Sequence, residues 1–383
     1  MVRIRKQRQP SEMIRQIARC FATIFVLTTQ GGPAQAADPV DAPFNGTFEY
    51  YGQLSPAYLS FDDGGQKTNQ LVDNTNSNSR LGMWYRHPMR WGRLNVNFET
   101  ALGLSGSNTA SQINLVDDWN WTTASIRKAE VIWETKRFGT FYVGQGSMAS
   151  DGIANRDLSG TSIVSYVGIP DTAGAFFLRT RADVLSPVAI AQAFPNFDGG
   201  RRARVRYDSP SYRGIVVSAS IGEQILATTL KSKDSDITVR YDWDGAKFRI
   251  SGASGYTWID RKTLVNNRTF VGSVSIEHKA TGLSFTTSSG KRDTAGNYRY
   301  FKLGYKAELP RVGPFSISVD YYAANNMVSG GSRSESYGMG ILQRFSNPRV
   351  EAYLGLRSYG FSDKSLVRYR DAHSVMFGAR WKF

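Results

Sequence analysis

From Val375 to Phe383 the chain alternates with period two. Val375, Phe377, Ala379, Trp381 and Phe383 fall on one face, and Met376, Gly378, Arg380 and Lys382 on the other. Successive side chains of a strand point to opposite sides of its sheet, so this is a strand with an aromatic face and a mostly polar one. Soluble sheets bury their apolar face and end in polar slack, because termini fray. Here the alternation runs to the last residue, as in a barrel strand with lipid outside and water inside. The pattern recurs. Leu94, Val96 and Phe98 alternate with Asn95, Asn97 and Glu99, and Ala203, Val205 and Tyr207 with Arg202, Arg204 and Arg206. Ile237, Val239, Tyr241 and Trp243 alternate with Asp236, Thr238, Arg240 and Asp242. Such polar faces are costly to bury in an apolar core, so the interior of this barrel must be wet.

Strands are predicted at 46–60, 79–89, 93–104, 125–136, 138–145, 201–208, 213–223, 234–243, 247–260, 268–279, 282–291, 297–308, 314–325, 333–345, 349–361 and 369–383. Sixteen is an even number, and an even number closes an antiparallel barrel with both ends on one side. The connections alternate in length. Tight turns such as Arg90-Trp91-Gly92, Arg137-Phe138 and Ala280-Thr281-Gly282 are separated by longer links, among them 61–78 and 105–124. Short turns belong on the periplasmic side and long loops outside. One link breaks the scale: about 55 residues, 146–200, separate the fifth and sixth strands. A loop of that length is functional or argues against the strand assignment. Its apolar stretches 163–167, 175–178 and 188–194 need a surface to pack on, and the lumen wall is the nearest. The alternative is one more hairpin hidden outside the membrane.

Composition alone points elsewhere. The chain is 41% hydrophobic with a mean hydropathy of −0.36, which reads as soluble. No stretch approaches the roughly 18 apolar residues of a membrane helix. Barrels escape that test because only alternate residues meet lipid. Tyr, Phe and Trp at 13% suit aromatic girdles, and 3 His with 1 Cys disfavour metal or thiol chemistry. Residues 1–36 read as a cleaved signal peptide. Arg3, Arg5, Lys6, Arg8, Arg15 and Arg19 form its basic region, residues 20–27 its apolar core, and Ala34-Gln35-Ala36 its cleavage site. Residues 37–383 then form the barrel domain. About nine residues precede the first strand, so no plug domain is expected. Cleavage takes the charge from 47 basic and 32 acidic residues to 41 and 31, or +10. The arginines alternate along strands instead of clustering on a helix, which favours a positive lumen over nucleic-acid binding.

Several passages resemble the general porins of Gram-negative outer membranes. They are Asn78-Ser79-Arg80-Leu81-Gly82-Met83, Arg90-Trp91-Gly92-Arg93-Leu94, Arg127-Lys128-Ala129, the run from Arg137 to Gly144, and the terminal Phe383. The layout is shared over residues 37–383, most specifically over 46–146, and the look is nearest to alphaproteobacterial porins. The resemblance implies an all-β transmembrane antiparallel β-barrel of sixteen strands in the cell outer membrane, associated as a homotrimer. It also implies a long third loop, here 146–200, folded inward so that its acids face basic wall residues. The Pro-Glu-Phe-Gly-Gly-Asp run common in that loop is absent.

On the alternation, Arg86, Lys128, Arg202, Arg204, Arg206 and Glu99 point inward, and with Asp157 and Asp183 of the long loop they are the expected pore-lining set. Arg202, Arg204 and Arg206 stack at period two and repel one another unless neutralised. Asp151, Asp157, Asp171 and Asp183 are the expected counter-charges. Trp381 and Phe383 are the expected assembly signal. No catalytic or metal site is expected. His87, His278 and His373 lie on separate strands with no nucleophile elbow, and Asp62-Asp63-Gly64 lacks the spacing of a calcium loop. The reading is a passive, water-filled channel for small hydrophilic solutes and ions, mildly anion-preferring, without cofactor or nucleic acid. Its surroundings are outer-membrane lipid and lipopolysaccharide. The rival reading is a non-conducting barrel, an adhesin or a structural envelope protein.

Overall fold

The computed structural model describes residues 40–42, 45–113, 119–226, 231–261, 265–345 and 349–383. The predicted signal peptide lies outside them. The strands are β1 (Val40–Ala42), β2 (Gly46–Leu54), β3 (Pro56–Asp62), β4 (Lys67–Asp73), β5 (Arg80–Met89), β6 (Gly92–Ala101), β7 (Ile126–Thr135) and β8 (Thr140–Ser147). After the long link come β11 (Arg201–Asp208), β12 (Ile215–Glu223), β13 (Ser232–Asp244), β14 (Phe248–Arg261), β15 (Asn267–His278) and β16 (Leu283–Arg292). The series ends with β17 (Asn297–Leu309), β18 (Gly313–Asn325), β19 (Arg333–Phe345), β20 (Val350–Ser362) and β21 (Ala372–Lys382). The link itself holds a hairpin, β9 (Phe177–Arg179) and β10 (Leu185–Ala189), and two single helical turns, α1 (Pro170–Ala173) and α2 (Ile190–Ala193).

Counting β2 with β3 and β4 with β5 as single interrupted spans, and setting aside the three-residue β1 that pairs on β2, sixteen antiparallel spans form a closed barrel. Closure joins β21 to β3, from His373↔Asp62 to Gly378↔Ala57, and to β2 at Leu54↔Trp381 and Gln53↔Lys382. Gly52 and Phe383 then exchange main-chain hydrogen bonds of 2.9 and 3.1 Å. No strand edge is left open along the seam, as a span in lipid requires. The two faces invert the soluble rule. On β13, Ile237 is 48% exposed and Val239 45%, while Asp236 is 3% and Thr238 1% exposed. The apolar ring faces outward to lipid and the polar positions face the interior.

The interrupted spans differ from the sequence expectation. Residues 61–78 are not a loop: β3 pairs with β4, and only 63–66 turn. Asp63 Oδ1 accepts from the amides of Gly65 (3.0 Å) and Gln66 (2.7 Å), with Gly64 at φ +84°. This is an Asx-type turn of the kind that needs glycine. The sequence of β4, LysThrAsnGlnLeuValAsp, lacks apolar alternation and so gave no strand signal. Between β4 and β5, residues 74–79 form a bulge containing the 3₁₀ turn Thr75–Ser77. Pairing stays regular on both sides, Pro56↔Asp73 and Gln53↔Arg80, so six residues oppose only Leu54 and Ser55. Asp73 braces the bulge by accepting from the Ser79 amide and hydroxyl, and Gln53 Nε2 donates to the carbonyls of Ser77 and Asn78.

Residues 148–200 lie along the polar face of the wall. The Ala149 amide donates to Ser220 Oγ and the Ser150 amide to Asp236 (2.9 Å each), and the amides of Arg156 and Leu158 donate to Ser273 and Ser275 (3.0 Å each). Thr161 meets Ser318 at 2.6 Å. Hydroxyls on the wall thus satisfy amides that the irregular segment leaves without partners of their own. Its apolar side chains pack on wall aromatics. Phe176 stacks on Phe61 at 4.2 Å, Phe194 meets Tyr322 and Tyr359 at 5.7 and 5.6 Å, and Phe197 meets Tyr298 at 5.8 Å. The hairpin is tied to neighbouring links: Arg179 grips both oxygens of Asp63 (2.8 and 3.1 Å), and the Arg370 amide donates to the Arg179 carbonyl.

Candidate functional site

One polar cavity of about 590 Å³ lies between this segment and the wall. Five arginines line its wall side: Arg80 from β5, Arg127 from β7, Arg201 from the start of β11, Arg344 from β19 and Arg380 from β21. The bulge adds residues 75–78. Asp151, Tyr166, Asp171 and Asp198 line the opposite side.

Carboxylates on the wall are outnumbered. Glu99 serves both Arg127 (2.6 Å) and Arg80 (3.4 Å), and Glu351 serves Arg344 (3.0 Å), Arg380 and Lys382 (3.3 Å). Cross-strand register makes the second cluster, because Glu351 sits directly between Arg344 and Arg380. Arg201 has no carboxylate within ion-pair distance among the described residues, and its Nε is buried without a partner. Facing these cations, Asp198 accepts from the amides of Gly152 (3.0 Å) and Ala154 (2.9 Å) and from Asn155 Nδ2 (3.1 Å). Burial, reinforced by the charge of Asp151, pushes its carboxyl up to about 7 despite those donors. Burial also raises Asp171 to about 6, against the hydroxyl of Tyr166 that donates to it. The cavity therefore has a strongly basic wall and an opposite side whose negative charge depends on pH near neutrality.

The residues expected from the sequence are placed differently. Arg202, Arg204 and Arg206 do lie on one strand, but they pair with wall carboxylates Asp234 (2.7 Å), Glu130 and Asp208 (2.7 Å), not with acids of the long segment. Arg204 and Arg206 also donate to the carbonyls of Ser147 and Met148, where the segment leaves β8. Asp157 pairs instead with Lys302 of β17 (2.6 Å), Asp171 with Tyr166, and Asp183 with Arg370 (3.2 Å) beside the outer hairpin. Arg86 pairs with Glu49 (3.0 Å), and Lys128 approaches Glu130 at 3.8 Å; neither lines the cavity. Glu99 is brought to it through Arg80 and Arg127. Alternation does not single out Arg201, because it shares parity with Ala203 and Val205, yet at the strand's end it is released from the lipid-facing row. Asp198 carries no periodic signal. Arg80 and Arg127 belong to the porin-like passages, where nothing in the local pattern marks them as cavity residues.

Comparison with known proteins decides the family: residues 22–364 match the Gram-negative porin family. The chain belongs to that family. This porin is accordingly a multi-pass β-barrel of the outer membrane and a passive channel. No curated protein matches its sequence. Among solved structures it is similar to the anion-selective porin of Comamonas acidovorans, at 14% identity and a TM-score of 0.58, covering 88% of this porin and all of that chain. It is also similar to OmpT of Vibrio cholerae in its trimer form (13%, 0.56, covering 88% and 99%) and to Pseudomonas putida OprB (9%, 0.57, covering 88% and 94%). At these identities the likeness is one of fold, and it does not narrow the family resemblance to the alphaproteobacterial group.

Proposed function

We propose that the 590 Å³ cavity is the narrowest part of the pore, with residues 146–200 as its constricting loop, and that small hydrophilic solutes and ions pass between the five arginines and the loop carboxylates. The observation that carries this reading is the uneven neutralisation of one aqueous cavity: two wall glutamates serve four arginines there, and Arg201 has none. In a narrow pore with low-dielectric walls a few unbalanced charges bias which ions pass, so the field favours anions mildly. The fold shared with an anion-selective porin agrees with that sign.

A homotrimer in outer-membrane lipid and lipopolysaccharide is part of the same proposal, supported by family membership and the trimer form of one structural neighbour. We read the barrel as non-catalytic: His87, His278 and His373 lie on β5, β15 and β21, apart from one another. Planar-bilayer recording tests the function. Stepwise conductance with a reversal potential on the anion side in a salt gradient is the expected result. A correctly folded but silent barrel would leave the adhesin or structural reading instead.

A further inference from the structure

Outside the pore, a cleft of about 560 Å³ opens on the outer surface at the short-turn rim, between the β5–β6 and β7–β8 turns. Its walls are aromatic: Trp91 is 67% exposed, Phe138 70% and Trp133 41%. Arg90, Thr135, Lys136 and Arg137 complete the lining, and no acidic residue does. Arg90 lies over the Trp91 ring at 5.1 Å, and none of the three cations has a carboxylate partner among the described residues. Glu134, on β7 just before the lining residues, is occupied by Arg93 at 2.6 Å and by Asn95 Nδ2 at 3.0 Å. Some cations elsewhere on this rim are neutralised, Arg249 by Asp244 (3.0 Å), Lys279 also by Asp244 and Lys306 by Glu277 (2.5 Å), while Arg213, Lys247 and Arg311 stand singly in separate turns. Among the described residues, only here do three such cations share one aromatic-walled cleft.

We propose that this cleft seats an anionic glycerophospholipid of the membrane leaflet on the short-turn side. Exposed aromatics at this depth sit at the lipid–water boundary, with an apolar body toward the acyl chains and a polar edge toward the headgroups. A phosphodiester is the group that three clustered, unpaired cations recognise there. The acyl chains continue along the lipid-facing row below it, Trp133 stacked on Phe141 at 5.7 Å and then Val131 and Val143, all exposed. Two copies meeting cleft to cleft would oppose like charges; a contact about a three-fold axis brings a different face of the neighbour here, and the oligomeric state of the variants separates it from lipid binding. Headgroup charge therefore decides binding, and the aromatics supply affinity common to any diacyl lipid.

Native mass spectrometry of the whole protein, purified in mild detergent and mixed with phosphatidylglycerol or phosphatidylcholine of identical chains, tests this. Phosphatidylglycerol is expected to be retained about tenfold more strongly, a difference of about 1.4 kcal/mol. The Arg90→Gln/Lys136→Gln/Arg137→Gln variant, its fold checked by heat-modifiable mobility and its pore by conductance, should lose that preference. Trp91→Ala/Phe138→Ala should weaken both lipids while keeping their ratio. Equal retention of the two lipids by the parent would overturn the proposal, as would a parent-like preference in the triple-glutamine variant. Oligomer dissociation in that variant with lipid retention unchanged would overturn it too, by assigning the cleft to subunit contact.

Discussion

The charges of this porin divide into those that hold the wall together and those that face the solute, and single substitutions separate them. Arg201 is unpaired at the cavity, so Arg201→Glu should move the reversal potential toward cations with folding intact. Arg204 is only 1% exposed and bound to Glu130, so Arg204→Ala leaves a buried carboxylate without its partner. Breaking a buried pair costs about 3–5 kcal/mol. A lower melting transition in heat-modifiability assays is the expected signature, with little selectivity change in the surviving protein. Asp198 adds a pH dependence. Its carboxyl is pushed up to about 7, so it is neutral on the acid side and charged on the alkaline side. Below pH 7 the arginines are less opposed, and anion preference should be greatest there and fall as pH rises from about 6 to 8. Asp198→Asn should flatten that profile; a reversal potential independent of pH in the parent would remove Asp198 from the conduction path. Screening shortens to about 3 Å near 1 M salt, so all of these shifts should shrink at high ionic strength.

At the scale of elements, the long segment is packed on one side and wet on the other. Ile163, Val167, Phe176, Leu178 and Ile190 are all buried, and removing residues 160–190 takes that apolar layer away together with Tyr166 and Asp171 of the cavity. Conductance of the deletion variant should rise severalfold while thermal stability falls; unchanged conductance would place the constriction elsewhere. Periodicity made the wall legible in the sequence because lipid and water act on every second residue for the full length of each span. The same physics explains what it missed. Strand β4 has polar residues on both faces over its first four positions, and the bulge at 74–79 is polar throughout, so neither shows alternation. Partners of the segment, such as Ser273 for Arg156 and Asp320 for Ser165, lie more than a hundred residues away, where no local pattern reports them. The ion pairs of Arg202 with Asp234 and of Arg204 with Glu130 depend on register between strands, and strand spans known to within a few residues do not fix register.

For the whole molecule, closure rests on the final residues. Gly52 and Phe383 hold the seam, and Trp381 pairs opposite Leu54. Deleting Phe383 should lower the yield of heat-modifiable protein in the outer membrane severalfold; undiminished assembly would mean that the pairings of β21 with β3 and with Gln53 and Leu54 suffice to secure the seam. The bulge at 74–79 has a wider implication. Barrel diameter is fixed by strand number and stagger, which change only in whole strands or whole registers. A bulge instead inserts residues into one strand and leaves the pairing on both sides intact. Here it carries Asn76, Ser77 and Asn78 to the cavity. Lineages carrying such a bulge can therefore adjust the bore by short insertions or deletions at a single site, a graded heritable dial on permeability that leaves the cylinder itself unchanged.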